Sequence, residues 1–435
     1  MAASGEEKTP SKLATSWTKI LDLHKANLDS DGIFEITATE VKTITGEEPR
    51  LTMNIYGRAN LPSVLKGITV LPKTDKSYYV INGDGYRDLE DVDGLEFHPP
   101  GDLKDVLMIP PDGQYHNEAQ AVSAAYIASI LRAFTGEEGQ FYPAGRGKGG
   151  KRDFKFYFDG SKGKRHHLHC NGVRIEIDDG FEGDRIYLIE AKLGSKGSFL
   201  IRQLYFPFLF WNLQNLGKEV VPIFFTYSDK VFTLRQYEWE NIDEFHSIRL
   251  KEAKNYSLEA YHGLPTLADI LSSTKQVKAL PAGIPFPQAD SLETVIDFVD
   301  ALGLGLSEPA EMAEMFDFAV RQAHYYGAAA TTLGLVERDE HKFFLTAEGR
   351  KFTEAHKQDR TEILLRKLAS LPVFRDALIQ LEETGTTNKE VLAGLIMKYD
   401  PAVKAESTAL RRAQTVQRWI EWVKEQYETV GPTLF

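Results

Sequence analysis

Alternating apolar and charged residues in the middle of the chain predict a pair of β-strands. Residues 173–177 alternate in this way, which is typical of a strand with one buried face. A second strand-forming run begins at Ile186 and leads directly into Glu-Ala-Lys at 190–192. Between the two runs, residues 182–185 have the composition of a tight turn centred near Asp184. The pattern therefore predicts an antiparallel hairpin.

The register of this hairpin decides which acids meet. With the turn centred as predicted, Asp178 lies directly across from Glu190, and directly opposed residues project to the same face of a sheet. Lys192 is two residues beyond Glu190 and shares that face. A one-residue slip, or a bulge at Asp179, would bring Asp179 there instead. We favour Asp178, so two carboxylates and one ammonium group are expected to converge.

Such a cluster suits a metal-dependent hydrolase. Two converging carboxylates repel each other when ionised, and a hard divalent cation such as Mg²⁺ cancels that repulsion. Mg²⁺ keeps several waters, one of which can serve as a nucleophile. A nearby lysine can orient that water, help to deprotonate it, or offset charge on a phosphate. The alternative is a surface hairpin whose charges face water. The apolar residues 187–189 favour the metal site, since buried strands rarely end in unpaired charges. Glu176 would face the same side, as an outer ligand or an ion-pair partner.

Helices are predicted on both sides of the hairpin in the chain. Upstream, residues 116–134 form one predicted helix that Gly136 terminates, with Asn117 as N-cap and Glu118 in the first turn. Downstream, residues 198–217 form another, which Pro207 is expected to kink.

Two apolar runs after the second helix, at 220–228 and 230–239, read as further strands. The order helix, strands, Glu-x-Lys strand, helix, strands resembles the PD-(D/E)xK nuclease superfamily, particularly type II restriction endonucleases, over about residues 117–237. The proline that names the motif is absent, because Ile177 precedes Asp178, so the assignment of Asp178 depends on the hairpin register. The resemblance implies Mg²⁺, the metal ligands Glu118, Asp178 and Glu190, and the further catalytic residues Lys192 and Gln203.

The composition is that of an ordinary globular protein. A chain of 435 residues is expected to form about two to four domains. Its single cysteine, Cys170, excludes an intrachain disulfide and fits a reducing cytosol. The polar N-terminal residues lack the apolar core of a signal peptide, and no apolar run is long enough to span a bilayer. We therefore expect a cytoplasmic protein, bacterial or archaeal, with no membrane partner.

The net charge of −12 at first argues against a nucleic-acid partner, but local patches decide contact. Residues 146–167 hold eight lysines and arginines against two aspartates. Residues 154–158 within it look like a strand. We interpret the segment as lying at the rim of the proposed site, where it grips phosphates; the alternative is a solvated basic loop. Its predicted DNA contacts are Arg146, Lys148, Lys151, Arg152, Lys164 and Arg165.

The C-terminal third of the chain is mainly helical, and part of it resembles a winged helix. Helices are predicted after Ser291 and after Ser307, followed by a third helical run and a hairpin-like wing. Arg321 and Gln322 open the third run and are suited to guanine and adenine edges. A winged helix used for protein contact or dimerisation is the rival interpretation.

The last predicted helix, capped by Ser407, presents further basic residues. Arg411, Arg412 and Arg418 are candidate DNA contacts, and a solvated basic face is an equally open alternative.

These features predict an α/β (α+β) fold, with a central restriction-endonuclease-like mixed sheet flanked by helices and a mainly helical, winged-helix-like C-terminal region. The expected regions are a disordered tail (1–12), an N-terminal α+β region (13–115), a nuclease core (116–257), a connector (258–300), a winged-helix-like domain (301–358) and a second helical, winged-helix-like domain (359–435).

The predicted function is a site-specific, Mg²⁺-dependent endonuclease of restriction type that cuts double-stranded DNA. One site per chain and two strands to cut favour a homodimer. The alternatives are a structure-specific nuclease, a modification-dependent nuclease, and a non-enzymatic DNA-binding regulator built on a nuclease-like scaffold.

Overall fold

The computed structural model describes residues 12–49, 53, 55–110, 113–277, 286–316, 318, 320–340 and 342–430, without the side chains of residues 148, 149, 429 and 430. Most of the predicted N-terminal tail lies outside this part of the chain, and Lys12 already begins a helix.

The described part contains fourteen α-helices and fourteen strands. The helices are α1 (Lys12–Ser30), α2 (Ala38–Thr45), α3 (Glu118–Ile127), α4 (Ile130–Thr135), α5 (Arg202–Asn212), α6 (Leu267–Ser273), α7 (Leu292–Gly303), α8 (Pro309–Met315), α9 (Val320–Thr332), α10 (Ala347–Glu354), α11 (Lys357–Ser370), α12 (Pro372–Thr384), α13 (Lys389–Tyr399) and α14 (Glu406–Val430). The strands are β1 (Ile33–Thr37), β2 (Ile68–Thr74), β3 (Ser77–Asn82), β4 (Tyr86–Asp88), β5 (Glu96–Phe97), β6 (Tyr142–Asp159), β7 (Arg165–Glu182), β8 (Ile186–Leu193), β9 (Ser198–Leu200), β10 (Val220–Ser228), β11 (Val231–Trp239), β12 (Ile248–Ser257), β13 (Val336–Asp339) and β14 (Lys342–Leu345).

The N-terminal unit is a small sheet covered by two helices. Its strands lie in the order β1-β3-β2, and all neighbours are antiparallel. Thr37 caps α2 in a reciprocal capping box with Glu40, which fixes the turn from β1 into the helix. Trp17 and Ile20 of α1 are fully buried against this sheet, so the unit has an apolar core of its own.

The centre of the molecule is a seven-stranded mixed sheet with strand order β5-β12-β11-β10-β8-β7-β6. Strands β8 and β10 are parallel, and α5 lies in the connection between them, as a crossover between parallel strands requires. Helices α3 and α4 cover one face and α5 covers the other. Because both faces are covered, nearly every residue of β10 is buried. The predicted mixed α/β architecture is confirmed.

One predicted helix differs in the structure, and one predicted strand is longer than expected. The single helix expected over 116–134 is split into α3 and α4, because Ser129 adopts the left-handed conformation with φ 64°. The strand predicted at 154–158 is confirmed as part of β6. The basic segment as a whole forms most of β6, the turn and the start of β7, and the register of this long hairpin shifts at four bulges.

The predicted second helix also begins later than expected. Residues 198–200 form β9, which pairs with β4, and α5 starts only at Arg202 with Pro207 in its interior.

The C-terminal unit contains α6 to α14 and the β13–β14 hairpin. The order α7, α8, α9, hairpin is the predicted order of elements, although Glu308 rather than Ser307 is the N-cap of α8. One continuous buried cluster runs from Leu267 to Tyr427. The segment predicted as a connector (258–300) therefore contributes α6 and α7 to the same core as the later helices. Among the described helices, none combines the length and the apolar character needed to cross a membrane.

Candidate functional site

The β7–β8 hairpin has the predicted register. Asp179 pairs with Ile189 and Glu182 with Ile186, so the same register places Asp178 opposite Glu190. The carboxylate of Asp178 accepts a hydrogen bond from the amide of Ala191 at 2.9 Å. This contact holds the acid against the strand that carries Glu190.

Asp179 lies on the opposite face of β7. Its side chain is buried and accepts hydrogen bonds from the guanidinium of Arg146. Burial raises the pKa of Asp179, although the charge of Arg146 opposes this. The choice that the sequence left open is therefore settled geometrically: Asp178 meets Glu190, and Asp179 meets Arg146.

Lys192 joins the two acids. Its Nζ donates to Oε1 of Glu190 at 2.6 Å and lies 3.5 Å from Oδ2 of Asp178. Burial raises the pKa of Glu190 to about 7; the charge of Lys192 opposes the shift, and that of Asp178 adds to it. For Lys192 itself, burial alone would lower the pKa, but the charges of Glu190 and Asp178 outweigh it and raise that pKa. The lysine is therefore charged at neutral pH.

Gln203 completes this group from the first turn of α5. Its Nε2 donates to Oε1 of Glu190. Its Oε1 is buried and has no hydrogen-bond partner among the described residues. An unpaired buried acceptor is costly, so this oxygen is suited to a ligand that the protein itself does not supply.

The four side chains line a common cavity of about 250 Å³. Glu176 also lines it, as the alternation predicted. The remaining polar residues of the lining are Tyr56, Arg174 and Arg202.

Sequence reasoning missed those last three residues. Arg174 has the same alternation phase as Asp178, and Arg202 precedes Gln203, so both could have been found by extending the pattern. Tyr56 lies in another unit of the chain, and no local signal points to it.

Glu118 stands apart from the other predicted metal ligands. Asn117 caps α3 as predicted, and Glu118 follows it in the first turn. It lines a neighbouring cavity of about 460 Å³ with Leu193, rather than the one shared by the two facing acids. Its charge contributes to the raised pKa of Lys192. Across the described ranges, no three His, Cys, Asp or Glu side chains are grouped closely enough to hold a metal ion. The structure thus brings together two of the three predicted ligands.

Two carboxylates nevertheless suffice for the ion that the resemblance implies. Mg²⁺ is commonly held by one or two carboxylates together with waters and substrate phosphates. Asp178 and Glu190 supply the carboxylates, and the unpaired Oε1 of Gln203 supplies a further oxygen. The residues present therefore fit Mg²⁺.

The predicted DNA contacts of the β6–β7 hairpin all have partners inside the protein where their side chains are described. Lys148 belongs to β6, and its side chain lies outside the described set. The partners of the others are Asp179 for Arg146, Asp75 for Lys151, the carbonyl of Leu213 for Arg152, the carbonyl of Ser30 for Lys164, and Glu244 for Arg165.

The first turn of α9 lies at a second, larger opening. Arg321 is exposed and donates to the hydroxyl of Tyr325 at 2.8 Å. Gln322 lines a cleft of about 420 Å³ whose lining also includes Lys192 and Gln203. One of the two predicted base-reading residues therefore shares a cleft with the candidate catalytic residues.

The three arginines of α14 have different environments. Arg411 is exposed and donates to Gln288 at 2.8 Å, and the side chain of Arg418 is 60% exposed. The side chain of Arg412 is only 15% exposed and donates to Asp400 at 2.7 Å. Arg412 therefore has the environment of a structural residue.

Three family models match consecutive parts of the chain. Residues 14–81 match a domain of unknown function (DUF6996), residues 84–257 another (DUF6997), and residues 294–428 a third (DUF7226). The segments coincide with the N-terminal unit, the part with the central sheet, and the C-terminal helical unit. Neither a curated protein nor a solved structure matches the chain.

Proposed function

We propose that the protein is a Mg²⁺-dependent endonuclease of restriction type that hydrolyses phosphodiester bonds in double-stranded DNA. The observation that carries the proposal is the convergence of Asp178, Glu190 and Lys192 in one cavity at the start of α5. The resemblance to PD-(D/E)xK nucleases supports it, because the element order around these residues is the one that the resemblance implies.

The roles of the residues follow from their charges and contacts. Asp178 and Glu190 would hold the cation, with Gln203 beside them. When bound, Mg²⁺ supplies an activated water and neutralises charge on the phosphate. Gln203 positions Glu190 through its hydrogen bond. Burial alone would lower the pKa of Lys192, but the charges of Glu190 and Asp178 raise it, so the lysine is protonated and would offer a positive charge to the phosphate.

The C-terminal unit would select the DNA sequence. Gln322 of α9 lies in the cleft that Lys192 also lines, so a duplex bound there would contact both units. Exposed Arg321, Arg411 and Arg418 are available to bases or phosphates. A homodimer would supply one site for each strand.

Digestion of mixed DNAs tests the proposal. The full chain is incubated with supercoiled plasmid and phage DNA, methylated and unmethylated, with Mg²⁺ or with EDTA, and the fragment ends are sequenced. We expect discrete fragments with a recurring end sequence in Mg²⁺ only. Intact DNA in every arm, from protein whose circular dichroism shows a folded chain, would overturn it. Cleavage confined to methylated DNA, or ends without a common sequence, would select the modification-dependent or the structure-specific alternative.

A further inference from the structure

Two arginines flank the candidate catalytic group. Arg174 belongs to β7 and is exposed, and Arg202 is the first residue of α5. Both line the 250 Å³ cavity that also holds Lys192. The cavity therefore presents three cationic side chains, which balance the charges of its three acids, Glu176, Asp178 and Glu190.

Neither guanidinium is paired with an acid. In the described part of the chain, no carboxylate lies within ion-pair distance of Arg174 or Arg202. The carboxylate of Asp75 forms its ion pair with Lys151, and the charge of Arg174 acts on it more weakly. Nε of Arg202 is buried and lacks a hydrogen-bond acceptor among the described residues. A buried, charged donor without an acceptor is costly, which favours an acceptor that comes from a ligand.

Neighbouring groups hold Arg202 in place and add positive potential. Its guanidinium lies 5.7 Å from the ring centroid of Tyr56, a cation–π distance. Helix α5 begins at Arg202, and its N-cap residue, Ile201, makes no side-chain capping hydrogen bond. The positive end of an eleven-residue helix thus lies at the cavity, where it favours an anion.

We infer that Arg174 and Arg202 form a subsite for a phosphate group of the nucleic-acid strand, adjacent to the phosphate that is cut. The planar guanidinium group matches phosphate oxygens in paired hydrogen bonds, which explains why arginine rather than lysine occupies these positions. That the bound phosphate lies beside the scissile bond rests on the proposed function. Through Tyr56, the N-terminal unit becomes part of substrate binding.

Binding measured without cleavage tests the subsite. Affinity for a labelled duplex is measured in EDTA over a range of NaCl concentrations for wild type, Arg174→Ala, Arg202→Ala and Arg202→Lys. The matched control is Arg249→Ala, an exposed arginine of β12 paired with Glu238. Each alanine variant should lower the slope of log affinity against log salt by about 1 and weaken binding about tenfold near physiological salt. Arg202→Lys should keep the slope, and the control should match wild type.

Circular and linear DNAs distinguish an internal phosphodiester from a terminal phosphate as the group bound at the subsite. Closed circular DNA has only internal diesters, whereas linear duplexes are prepared with either a 5′-phosphate or a 5′-hydroxyl. If the alanine variants lose equal affinity for circular and for linear DNA, the subsite binds an internal diester. A loss confined to 5′-phosphorylated ends assigns a terminal phosphate.

Unchanged slopes for both alanine variants, with wild-type circular dichroism, would overturn the subsite. Arg174 is exposed, so its variant reports on binding even if Arg202→Ala unfolds. If the alanine variants show these salt effects but the wild type cuts no DNA, the subsite is supported and the nuclease proposal is refuted. If the wild type cuts DNA and both alanine variants bind DNA as the wild type does, only the subsite is refuted. Failure of the wild type to bind DNA overturns both.

Discussion

The ammonium group of Lys192 donates a hydrogen bond to the carboxylate of Glu190 at 2.6 Å. The same ammonium lies 3.5 Å from Asp178, so one lysine offsets the repulsion between two facing acids. The proposed Mg²⁺ would be held by these carboxylates and would take over that role, which would leave Lys192 available to a substrate phosphate.

Replacement of this lysine separates catalysis from binding. Lys192→Ala should reduce the cleavage rate by about 10²- to 10³-fold, because the positive charge at the phosphate is lost. Duplex affinity in EDTA should stay within about twofold, because without a bound cation the ammonium is held by Glu190 and Asp178 rather than by DNA. Lys251→Ala, an exposed lysine of β12, is the control. Cleavage at the wild-type rate by Lys192→Ala would remove the lysine from the proposed mechanism.

The pH dependence of cleavage should report Glu190. Burial raises its pKa to about 7, so below that pH the acid is protonated and a poor cation ligand. The cleavage rate at subsaturating Mg²⁺ should therefore rise about tenfold per pH unit below 7 and level off above it. A rate that is flat from pH 5.5 to 8 would contradict the assignment.

The same shift predicts a stability effect. The pKa of Glu190 is higher in the folded chain than its ordinary value of 4.5, so its stabilising contribution is full below 4.5 and is lost as pH rises through 7. Glu190→Gln should thus melt higher than wild type at pH 8, and the difference should shrink toward pH 5. A melting-temperature difference of the same size at pH 5 and at pH 8 would contradict this prediction.

Asp178 and Asp179 form a matched pair of adjacent acids. Asp178→Asn keeps an acceptor for the amide of Ala191 but loses the carboxylate that faces Glu190, so cleavage should fall by at least about 10²-fold. Asp179→Asn changes the opposite face, at Arg146, and should cleave within a few-fold of wild type. The reverse pattern of activities, measured on folded variants, would show that the register argument identifies the wrong acid.

The register of this hairpin was predictable because it depends on local chemistry. A short polar turn joins two alternating runs, and together they set which residues oppose each other. The caps of α3 and α7, Asn117 and Ser291, were found for the same reason, since capping depends on only a few neighbouring residues.

Features set by distant contacts were not predictable. Pairing of β4 with β9 brings Ser198, six residues beyond Lys192, against Asp88 of an earlier segment. Tyr56 reaches the cavity through the same packing. The split between α3 and α4 depends on a left-handed Ser129, a residue type that carries no strong signal for that conformation.

Arg412 and Arg418 of α14 should respond differently to replacement. Arg412→Ala removes a largely buried ion pair with Asp400, at a cost of about 1.5–3 kcal/mol, and should lower the melting temperature. Arg418→Ala removes an exposed side chain and should leave stability within about 0.5 kcal/mol, while weakening duplex binding if α14 contacts DNA. Thermal melts and duplex affinities at fixed salt show whether each arginine contributes to stability or to DNA binding. Equal melting temperatures for the two variants would contradict a structural role for Arg412.

Asp297 links the C-terminal unit to the segment that follows β8. Its buried carboxylate accepts hydrogen bonds from the amide of Ser195 at 2.6 Å and from the hydroxyl of Ser228 at 2.7 Å. Ser195 is three residues beyond Lys192, so α7 holds the segment that follows β8. Burial raises the pKa of Asp297 to about 7, although both hydrogen bonds oppose the shift.

Removal of this carboxylate should therefore loosen the candidate site from a distance. In Asp297→Ala, the amide of Ser195 loses its acceptor, and the cleavage rate should fall about tenfold or more while affinity for the duplex in EDTA changes little. Asp359→Ala, an exposed acid of α11, is the control. Single-turnover rates and duplex affinities are compared at pH 8, where the buried Asp297 is ionised. A proportionate loss of affinity and rate would instead show that the contact serves DNA binding, and an unchanged rate would show that α7 does not position β8.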